Sequence, residues 1–375
     1  ADLTEGMYKA VEVQAPDKYD LSDSTYYFGI GTSREGKEGL KAIWAQGIGG
    51  TSNDRINLVS ETSDRGYIVG GYFESSSIDL GNGISLANAK SGSSDGMVIK
   101  YGSSGEVEWA TGIGGTISSV AECRDGGYIV GGYFRSSSID LGNGISLTNK
   151  GSTDGMVIKY GSSGEVEWAK RIGGTNDDEI SSVSETSDGG YIVGGYFKST
   201  SIDFGNGISL ANAKSGSSDG MVIKYGSSGE VEWATGIGGT ISSVAECRDG
   251  GYIVGGYFRS SSIDLGNGIS LTNKGSTDGM VIKYGSSGEV EWAKRIGGTY
   301  SDYIDSVAET TDGGYILRGY FHSSSIDLGN GVSLTNKGSI SYPDGMVIKY
   351  SSTGEVEWAQ GIGGTDSDYI NSVSE

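Results

Sequence analysis

The sequence has few of the residues that mark several protein classes. Its 375 residues include two Cys, two Pro and one His, too few cysteines for a disulfide scaffold. No run of 18 apolar residues is present, so no membrane-spanning helix is expected. Basic residues are also scarce, since 27 Lys and Arg stand against 48 Asp and Glu. The net charge of −21 argues against a nucleic-acid partner, because binding to phosphates depends on Lys and Arg.

Glycine and aromatic residues are abundant instead. The chain has 68 Gly, more than twice the ordinary share, together with 23 Tyr, 7 Phe and 6 Trp. A disordered chain would lack the aromatic residues, and collagen would need Gly at every third position. The composition therefore predicts a folded chain.

The tryptophans mark an internal repeat. They occur at Trp44, Trp109, Trp168, Trp233, Trp292 and Trp358. Their spacings of 65, 59, 65, 59 and 66 residues define a unit of about sixty residues that alternates between two lengths. Residues 81–175 and 205–299 are identical at all 95 positions, which indicates a recent duplication of a pair of units.

Each unit contains four runs of strand-forming residues. In the first full unit these runs, A to D, are 56–61, 67–73, 97–101 and 106–110. Gly and Ser interrupt every window before a helical period develops, so no helix is expected. The Gly70-Gly71 pair in run B suits a crowded position, and the Trp of run D offers apolar surface to a neighbouring sheet.

Turn residues set the expected pairing. Between C and D, a loop of residues 102–104 followed by Gly105 in a left-handed bulge sets the register. It places opposite one another Ile99 and Val107, Met97 and Trp109, and Lys100 and Glu106, the last as an ion pair on the other face of the sheet, which is weak if exposed. A second hairpin at 77–86 has Gly81-Asn82-Gly83 as its loop. It places opposite one another Ile78 and Leu86, and Leu80 and Ile84.

A recurring four-stranded antiparallel unit is typical of a β-propeller blade, because one such sheet needs neighbours to bury both its faces. We therefore predict an all-β protein whose single domain, 1–375, is a six-bladed propeller. Residues 51–368 supply five near-identical blades. Residues 1–50 and 369–375 are expected to share the closing blade, which removes exposed sheet edges.

The closing blade rests on divergent matches. Residues 7–13 resemble run B, residues 26–30 and 41–44 resemble a C–D hairpin, and residues 369–375 resemble run A. The chain begins at Ala1 without a signal-like segment and ends directly after a predicted strand. We therefore expect any signal sequence either to have been removed or to lie outside this chain, and the end directly after a strand suggests a fragment of a longer protein.

Three segments together resemble a known repeat family. They are Asp-Gly-Met-Val-Ile-Lys-Tyr-Gly-Ser-Ser-Gly-Glu-Val-Glu-Trp-Ala, then Ile-Gly-Gly-Thr, then Ser-Asp-Gly-Gly-Tyr-Ile-Val-Gly-Gly-Tyr-Phe. Over residues 26–375 this order is similar to the bacterial SBBP-type β-propeller repeat. The resemblance implies a propeller from a secreted or cell-surface prokaryotic protein, and it implies no catalytic residue set. The family name implies seven blades, whereas this chain supplies six.

The sequence offers one candidate ligand-binding ring. One position directly after strand B changes charge from blade to blade, and we call its residues the variable ring: Glu74, Arg135, Lys198, Arg259 and His322. They form either a ring of binding side chains on one propeller face or a solvated rim. His322, the single His, has no matching nucleophile for a Ser-His-Asp triad.

The loops that lead into strand A are the weak candidates for a metal site. Four of these loops are long and acidic, and two are four residues shorter. Their carboxylates are Asp54, Asp177, Asp178, Asp302, Asp366 and Asp368. They suit either Ca²⁺ or plain solvation, and the EF-hand ligand pattern is absent. No other cofactor is expected.

Cys123 and Cys247 occupy the same position in two copies of the repeat. Equivalent points two blades apart are too distant for a disulfide, so we expect two unpaired thiols.

These observations predict a non-enzymatic recognition or scaffold module of a secreted or cell-surface protein. It would act as a monomer and bind protein or glycan through its loop faces, with no membrane span. Two alternatives stay open: a structural spacer without a ligand, and a hydrolase or lyase with its site in the central channel. Fold alone does not separate them.

Overall fold

The structure is a computed structural model that describes residues 25–31, 41–89, 93–213 and 216–370. These residues form 32 strands and no helix, so none of them offers a helix that spans a bilayer. A hairpin of β1 (Thr25–Gly31) and β2 (Lys41–Ile48) comes first. Five units of six strands follow.

The strands of the five units are given in chain order. Unit 1 contains β3 (Asp54–Glu61), β4 (Tyr67–Phe73), β5 (Ser77–Asp79), β6 (Ser85–Ala87), β7 (Asp95–Tyr101) and β8 (Val107–Ile113). Unit 2 contains β9 (Thr116–Glu122), β10 (Tyr128–Phe134), β11 (Ser138–Asp140), β12 (Ser146–Thr148), β13 (Asp154–Tyr160) and β14 (Val166–Ile172). Unit 3 contains β15 (Asp178–Glu185), β16 (Tyr191–Phe197), β17 (Ser201–Gly205), β18 (Ile208–Ala211), β19 (Asp219–Tyr225) and β20 (Val231–Ile237). Unit 4 contains β21 (Thr240–Glu246), β22 (Tyr252–Phe258), β23 (Ser262–Asp264), β24 (Ser270–Thr272), β25 (Asp278–Tyr284) and β26 (Val290–Ile296). Unit 5 contains β27 (Asp302–Glu309), β28 (Tyr315–Phe321), β29 (Ser325–Gly329), β30 (Val332–Thr335), β31 (Asp344–Tyr350) and β32 (Val356–Ile362).

Each unit builds one antiparallel sheet and one side hairpin. The sheet of unit 1 has the order β3-β4-β7-β8, and this order recurs in all five units. We call these four strands A, B, C and D, and we call the sheet a blade. The predicted order, with a second hairpin between B and C, is confirmed. Strand C begins two residues earlier than predicted, at Asp95, and strand D continues to Ile113.

Successive blades pack face to face. Strand B of each blade contacts strand A of the next, as in β4 with β9, and successive A strands contact one another, as in β9 with β15. The A strands are therefore innermost and the D strands outermost. Four-stranded antiparallel sheets arranged radially in this way are a β-propeller, so the predicted all-β propeller fold is confirmed.

The closing blade stays a prediction. The residues predicted as its C and D strands form β1 and β2, which pair antiparallel with Phe28 opposite Ala45. Residues 7–13 and 371–375 lie outside the described residues, and Tyr369 and Ile370 are described but belong to no strand. The structure therefore describes five complete blades, and the count of six is untested.

Tryptophans join the blades, as predicted. Trp109 of blade 1 stacks on Tyr160 with ring centroids 6.0 Å apart, and it meets Tyr128 edge-on at 5.5 Å. Both tyrosines belong to blade 2. Equivalent contacts join Trp44 to Tyr67 and Tyr101, Trp168 to Tyr191 and Tyr225, Trp233 to Tyr252 and Tyr284, and Trp292 to Tyr315 and Tyr350.

The predicted register between strands C and D is wrong. Gly105 is left-handed as predicted, with a φ of 85°. The loop, however, comprises residues 103–105, because the Gly102 N–H donates to the Glu106 carbonyl at 2.9 Å. An extra residue, Glu108, then bulges from strand D and shifts the pairing again. The observed pairs are Lys100 with Trp109, Ile99 with Ala110, and Met97 with Gly112.

This register also buries the lysine of strand C. Lys100 is 1% exposed, and its Nζ lies 2.9 Å from Asp64 and 3.2 Å from Glu108. It also donates to the Tyr101 carbonyl at 3.0 Å. The predicted Lys100–Glu106 pair is therefore replaced by a buried lysine node. The same node joins Lys159 to Asp125 and Glu167, Lys224 to Asp188 and Glu232, Lys283 to Asp249 and Glu291, and Lys349 to Asp312 and Glu357.

The side hairpin has the predicted register. Ile78 lies opposite Leu86, and the Leu80 N–H donates to the Ile84 carbonyl at 2.9 Å. Its three loop residues, 81–83, all have positive φ, which Gly and Asn adopt most readily. The Gly-Asn-Gly sequence thus fixes the turn.

Both cysteines are unpaired, as predicted, and both are buried. Burial raises the pKa of Cys123 and of Cys247 to about 12. Because the thiolate is the reactive form, both thiols are inert at neutral pH.

Candidate functional site

The variable ring lies at one edge of the propeller. Every strand B ends at this edge and every strand A begins there, so we call it the B-end edge. Its three cations each lie over the Tyr two residues earlier. The distances from cation to ring centroid are 4.8 Å for Arg135 and Tyr133, 5.7 Å for Lys198 and Tyr196, and 5.1 Å for Arg259 and Tyr257. Such cation–π contacts hold the charged groups above the blades.

The two other ring members are held by different neighbours. Glu74 accepts hydrogen bonds of 3.3 Å from the Asn53 side chain and the Ser94 hydroxyl. His322 donates from Nδ1 to the Ile340 carbonyl at 2.9 Å. The structure thus places all five predicted residues at one edge, each in its own blade, rather than in one cluster.

Neighbouring blades complete the surroundings of the ring. Arg135 of blade 2 lies 3.9 Å from Glu179 of blade 3, and burial raises the pKa of Glu179 although Tyr196 and Arg135 act against it. At a later junction Tyr303 takes the place of Glu179 and meets Tyr257 at 4.9 Å. Ring residues therefore lie at the junctions between blades, where the local chemistry changes around the propeller.

Most of the candidate metal ligands have a structural role. Asp178 is fully buried, and its carboxylate accepts backbone N–H groups of Gly174, Lys198 and Ser199 as well as the Ser199 hydroxyl, at 2.5–3.1 Å. It therefore ties the start of strand A to the end of strand B. Asp54 and Asp302 make the same contacts, and Asp368 accepts the Gly364 N–H at 2.8 Å.

The remaining candidates do not join them in a cage. Asp177 pairs with Ser152 and with Lys198 at 3.2 Å, and both hydrogen bonds lower its pKa. Asp366 is exposed. Within the residues that the structure describes, no three His, Cys, Asp or Glu side chains come together to hold a metal ion. Ca²⁺ binding stays an untested prediction.

Connection length decides whether a blade junction is filled. Between blades 2 and 3 the long connection, residues 173–177, lies against the loop that precedes strand C of blade 2. Asp178 donates its N–H to the Thr153 carbonyl at 2.9 Å, and Ser152 donates to Asp177. Between blades 3 and 4 only Gly238 and Gly239 connect the strands. No long connection therefore covers the loop that precedes strand C of blade 3.

The short connection leaves an open groove. Between the side hairpins of blades 3 and 4 lies a groove of about 740 Å³. Its floor is the Gly238-Gly239 connection, where a side chain at Gly239 would come within 2.5 Å of the Tyr257 carbonyl. Arg259 and Asp264, both exposed, line one wall. The lining also includes apolar side chains, among them Leu210, Ala211, Ala213 and Ile263, and five serines: Ser209, Ser217, Ser218, Ser260 and Ser262.

A second junction has the same sequence and the same short connection. Strands β8 and β9 are joined by Gly114 and Gly115 alone, and residues 81–175 repeat residues 205–299 at every position. Arg135 therefore corresponds to Arg259, and Asp140 to Asp264. The chain thus carries two equivalent groove positions on one edge, two blades apart. We call them groove 1 (blades 1 and 2) and groove 2 (blades 3 and 4).

The groove contains one arginine, carboxylates, a half-buried tyrosine and several hydroxyls. These groups donate and accept hydrogen bonds and orient polar ligands. Residues 216–220 spell Gly-x-Ser-x-Gly, but they lie in a loop that leads into strand β19, not between a strand and a helix. They therefore do not form the nucleophile elbow of hydrolases.

Sequence reasoning found the variable ring and the two connection lengths but missed the groove. The sequence signal for the groove was the four-residue difference in length between the two kinds of connection. That difference indicates a groove only once the side hairpins, which form its two walls, are placed.

The known proteins that resemble the chain include a repeat protein, and they do not assign the chain to a family. No protein-family model matches the chain. It is 22% identical over 450 residues to an uncharacterized WD repeat-containing protein, L264, of Acanthamoeba polyphaga mimivirus, covering 95% of this chain and 32% of that protein. It is 31% identical over 114 residues to the regulatory protein FlaEY of Caulobacter vibrioides, covering 29% of this chain and 12% of FlaEY. The chain thus spans a third or less of these relatives.

Two solved structures also resemble the chain. A protein of unknown function from Bacteroides caccae matches with a TM-score of 0.41 and 12% identity, over 91% of this chain and 94% of that one. BamB from Moraxella catarrhalis matches with a TM-score of 0.29 and 10% identity, over 83% and 89% of the two chains.

Proposed function

We propose that this protein is a non-enzymatic recognition module that binds a glycan through groove 1 and groove 2. The observation that carries the proposal is the open groove beside Arg259, which exists because the connection between blades 3 and 4 is short. Its hydroxyls, guanidinium and carboxylates suit a polyhydroxylated ligand, which needs many hydrogen-bond donors and acceptors. A protein ligand is the other class that such a groove admits.

Two equal sites on one rigid edge suit a repetitive ligand. Once one groove holds a unit of a polymer, the second unit binds at a high effective concentration, so avidity exceeds either single affinity. A secreted or cell-surface location, as the resemblance to SBBP-type repeats implies, would expose the module to such polymers. We therefore also propose that the protein is secreted or lies at the cell surface and that it belongs to the SBBP-type repeat family.

The test is binding to a glycan array and to a displayed peptide library by three proteins. They are the wild type, the double variant Arg135→Ala/Arg259→Ala, and the control Arg124→Ala/Arg248→Ala, which removes exposed arginines at the opposite edge. We expect glycan binding by the wild type and the control, and at least tenfold weaker binding by the groove variant. Binding to peptides alone would assign the groove to protein. Binding to neither probe would favour the structural spacer.

A further inference from the structure

Two junctions between blades contain an arginine that is bound to a buried aspartate. Between blades 2 and 3, Nη1 of Arg171 on strand D lies 3.0 Å from Asp154, and it donates to the Gly173 carbonyl at 2.6 Å. Asp154, the first residue of strand C, is fully buried. The same contacts join Arg295 to Asp278 and to the Gly297 carbonyl between blades 4 and 5. Each of these junctions thus supplies the cation that a buried carboxylate needs.

The two groove junctions have the same aspartate without the arginine. Strand C of blade 3 begins at Asp219, which is 7% exposed and lines groove 2. Gly236 occupies the position of Arg171, since each lies opposite the methionine of the adjacent strand C. In groove 1 the corresponding residues are Asp95 and Gly112. Both grooves therefore keep the carboxylate of the ion pair and have no guanidinium beside it from strand D.

Groove 2 has room where the arginine side chain lies in the other junctions. A Cβ at Gly236 would find its nearest neighbour, Cδ2 of Leu210, at 3.9 Å, and Gly236 itself lines the groove. A Cβ at Gly238, on the floor, would lie 3.9 Å from Oδ1 of Asp219. The carboxylate thus lies beside the floor of the groove, within reach of a ligand that takes the place of an arginine side chain.

The two groove aspartates pair with no lysine or arginine among the described residues. Asp219 accepts the Ala213 N–H at 2.8 Å, and Asp95 accepts the Ala89 N–H at 2.8 Å. Oδ1 of Asp95 is buried and has no hydrogen-bond partner in the part of the chain that the structure describes. Burying a carboxylate without a counter-charge is costly, so a cation brought by a ligand would be stabilised here.

The arginine on the wall of groove 2 is compatible with a second cation. Arg259 is held over the Tyr257 ring, 5.1 Å from its centroid. The junction between blades 2 and 3 has the corresponding variable-ring cation, Lys198, as well as Arg171 on its aspartate. One junction therefore accommodates both positive groups. The net charge of −21 also favours a cationic ligand over an anionic one.

We propose that the ligand of groove 1 and groove 2 carries positively charged amino groups, which pair with Asp95 and Asp219 as Arg171 pairs with Asp154. This inference rests on the glycan binding proposed above and narrows the ligand to sugar polymers with free amines. In such a polymer the amine recurs on successive units. Two grooves of the same sequence on one edge suit that repetition.

A matched pair of sugars separates the amine from the rest of the ligand. Titration calorimetry would use the glucosamine trisaccharide and its N-acetylated form, which has no charged amine, at pH 5.5, where free amines are protonated. We expect the wild type to bind two molecules of the glucosamine trisaccharide per chain. Binding of the N-acetylated form should be at least tenfold weaker, because it brings no counter-charge to the aspartates.

A matched pair of variants separates the groove from general charge attraction. Gly236→Arg should place a guanidinium on Asp219, as Arg171 does on Asp154, and so remove one of the two sites. Gly361→Arg adds the same charge at the same position of strand D in blade 5, outside both grooves, and should keep both sites. Asp219→Asn removes the carboxylate instead and should also leave one site. Circular dichroism shows whether each variant folds.

Several results would overturn the amino-sugar ligand. They are no binding of the glucosamine trisaccharide by the wild type, equal binding of its two forms, and equal effects of Gly236→Arg and Gly361→Arg. If a lysine-rich peptide bound instead, and Gly236→Arg abolished that binding at one site, the aspartates would belong to a protein ligand. Uncharged glycans that bind the wild type and not Arg135→Ala/Arg259→Ala would leave the proposed function standing and refute only the amine. Absence of all glycan binding would contradict both proposals.

Discussion

At the scale of single residues, the buried lysine of strand C has the largest structural role. Burying a charged group is costly unless it is paired and hydrogen-bonded. Lys100 meets this condition through Asp64, Glu108 and a backbone carbonyl. It thereby links the A–B turn to strands C and D of the same blade. The node is repeated in all five blades, each with the lysine of Asp-Gly-Met-Val-Ile-Lys-Tyr.

Removal of this lysine should destabilise the protein. Lys100→Met leaves two carboxylates without their common partner. Because the Asp64 side chain is 54% exposed, solvent screens part of the loss, and we expect about 1–3 kcal/mol less free energy of unfolding. Urea denaturation at pH 7 measures the change. Lys294→Met, which removes a half-buried lysine that pairs with the exposed Glu355 at 3.5 Å, is the control and should shift the midpoint much less.

The same node predicts an acid dependence. Hydrogen bonds from the Thr62 hydroxyl, Lys100 and the Gly66 N–H lower the pKa of Asp64 to about 2, whereas an unfolded Asp titrates near about 3.9. The stability from this group is therefore complete above pH 4 and is lost as the pH falls towards 2. The stability difference between wild type and Lys100→Met should shrink over that range. A difference that stays constant from pH 6 to pH 2 would contradict the pairing.

At the scale of elements, two glycine positions have opposite tolerance. Gly131 faces Val183 and Ile180 of the next blade, whereas a Cβ at Gly112 on strand D would find its nearest neighbour at 3.9 Å. Overpacking a tight contact costs more than adding a methyl group at an open position. The spacing between blades is thus set by strand B.

A matched pair of substitutions checks this. We expect Gly131→Ala to lower the free energy of unfolding by about 1–3 kcal/mol, and Gly112→Ala to change it by less than about 0.5 kcal/mol. Both values come from urea denaturation under the same conditions. Equal effects would show that blade spacing does not depend on this glycine.

Local rules predicted some elements and missed others for identifiable reasons. The side hairpin was predictable because Gly81-Asn82-Gly83 requires positive φ and fixes one register. The C–D register was not predictable, because it depends on a bulge at Glu108 that brings a carboxylate to the buried Lys100. The burial of Lys100 depends on how the folded chain packs and not on the local sequence. The groove was missed for the same reason, since a short connection exposes it only when the side hairpins of two blades are in place.

At the scale of the whole molecule, the propeller combines a uniform scaffold with a variable edge. The lysine nodes and tryptophan contacts repeat from blade to blade, and the strand B glycine pair repeats in the first four blades, whereas blade 5 has Arg318 in its first position. The variable ring and the connection lengths differ at the B-end edge. Because the double repeat copies one short and one long junction, duplication places two groove positions of the same sequence on that edge.

Filling a groove should remove one site. Inserting Asn-Asp-Asp-Glu, the sequence of residues 176–179, after Thr240 reproduces the long connection between blades 2 and 3. The same insertion after Thr116 gives the junction at groove 1 the long connection. We expect both variants to fold, because the long connection already occurs beside equivalent blades, and each to keep one site. Thermal unfolding that stays cooperative is the check on folding.

The most direct measurement is the number of ligands bound per chain. Isothermal titration would use the oligosaccharide with the strongest signal on the glycan array. We expect two binding sites in the wild type, one in each single insertion variant, and none in the double insertion variant. Unchanged binding by the folded double insertion variant would contradict it.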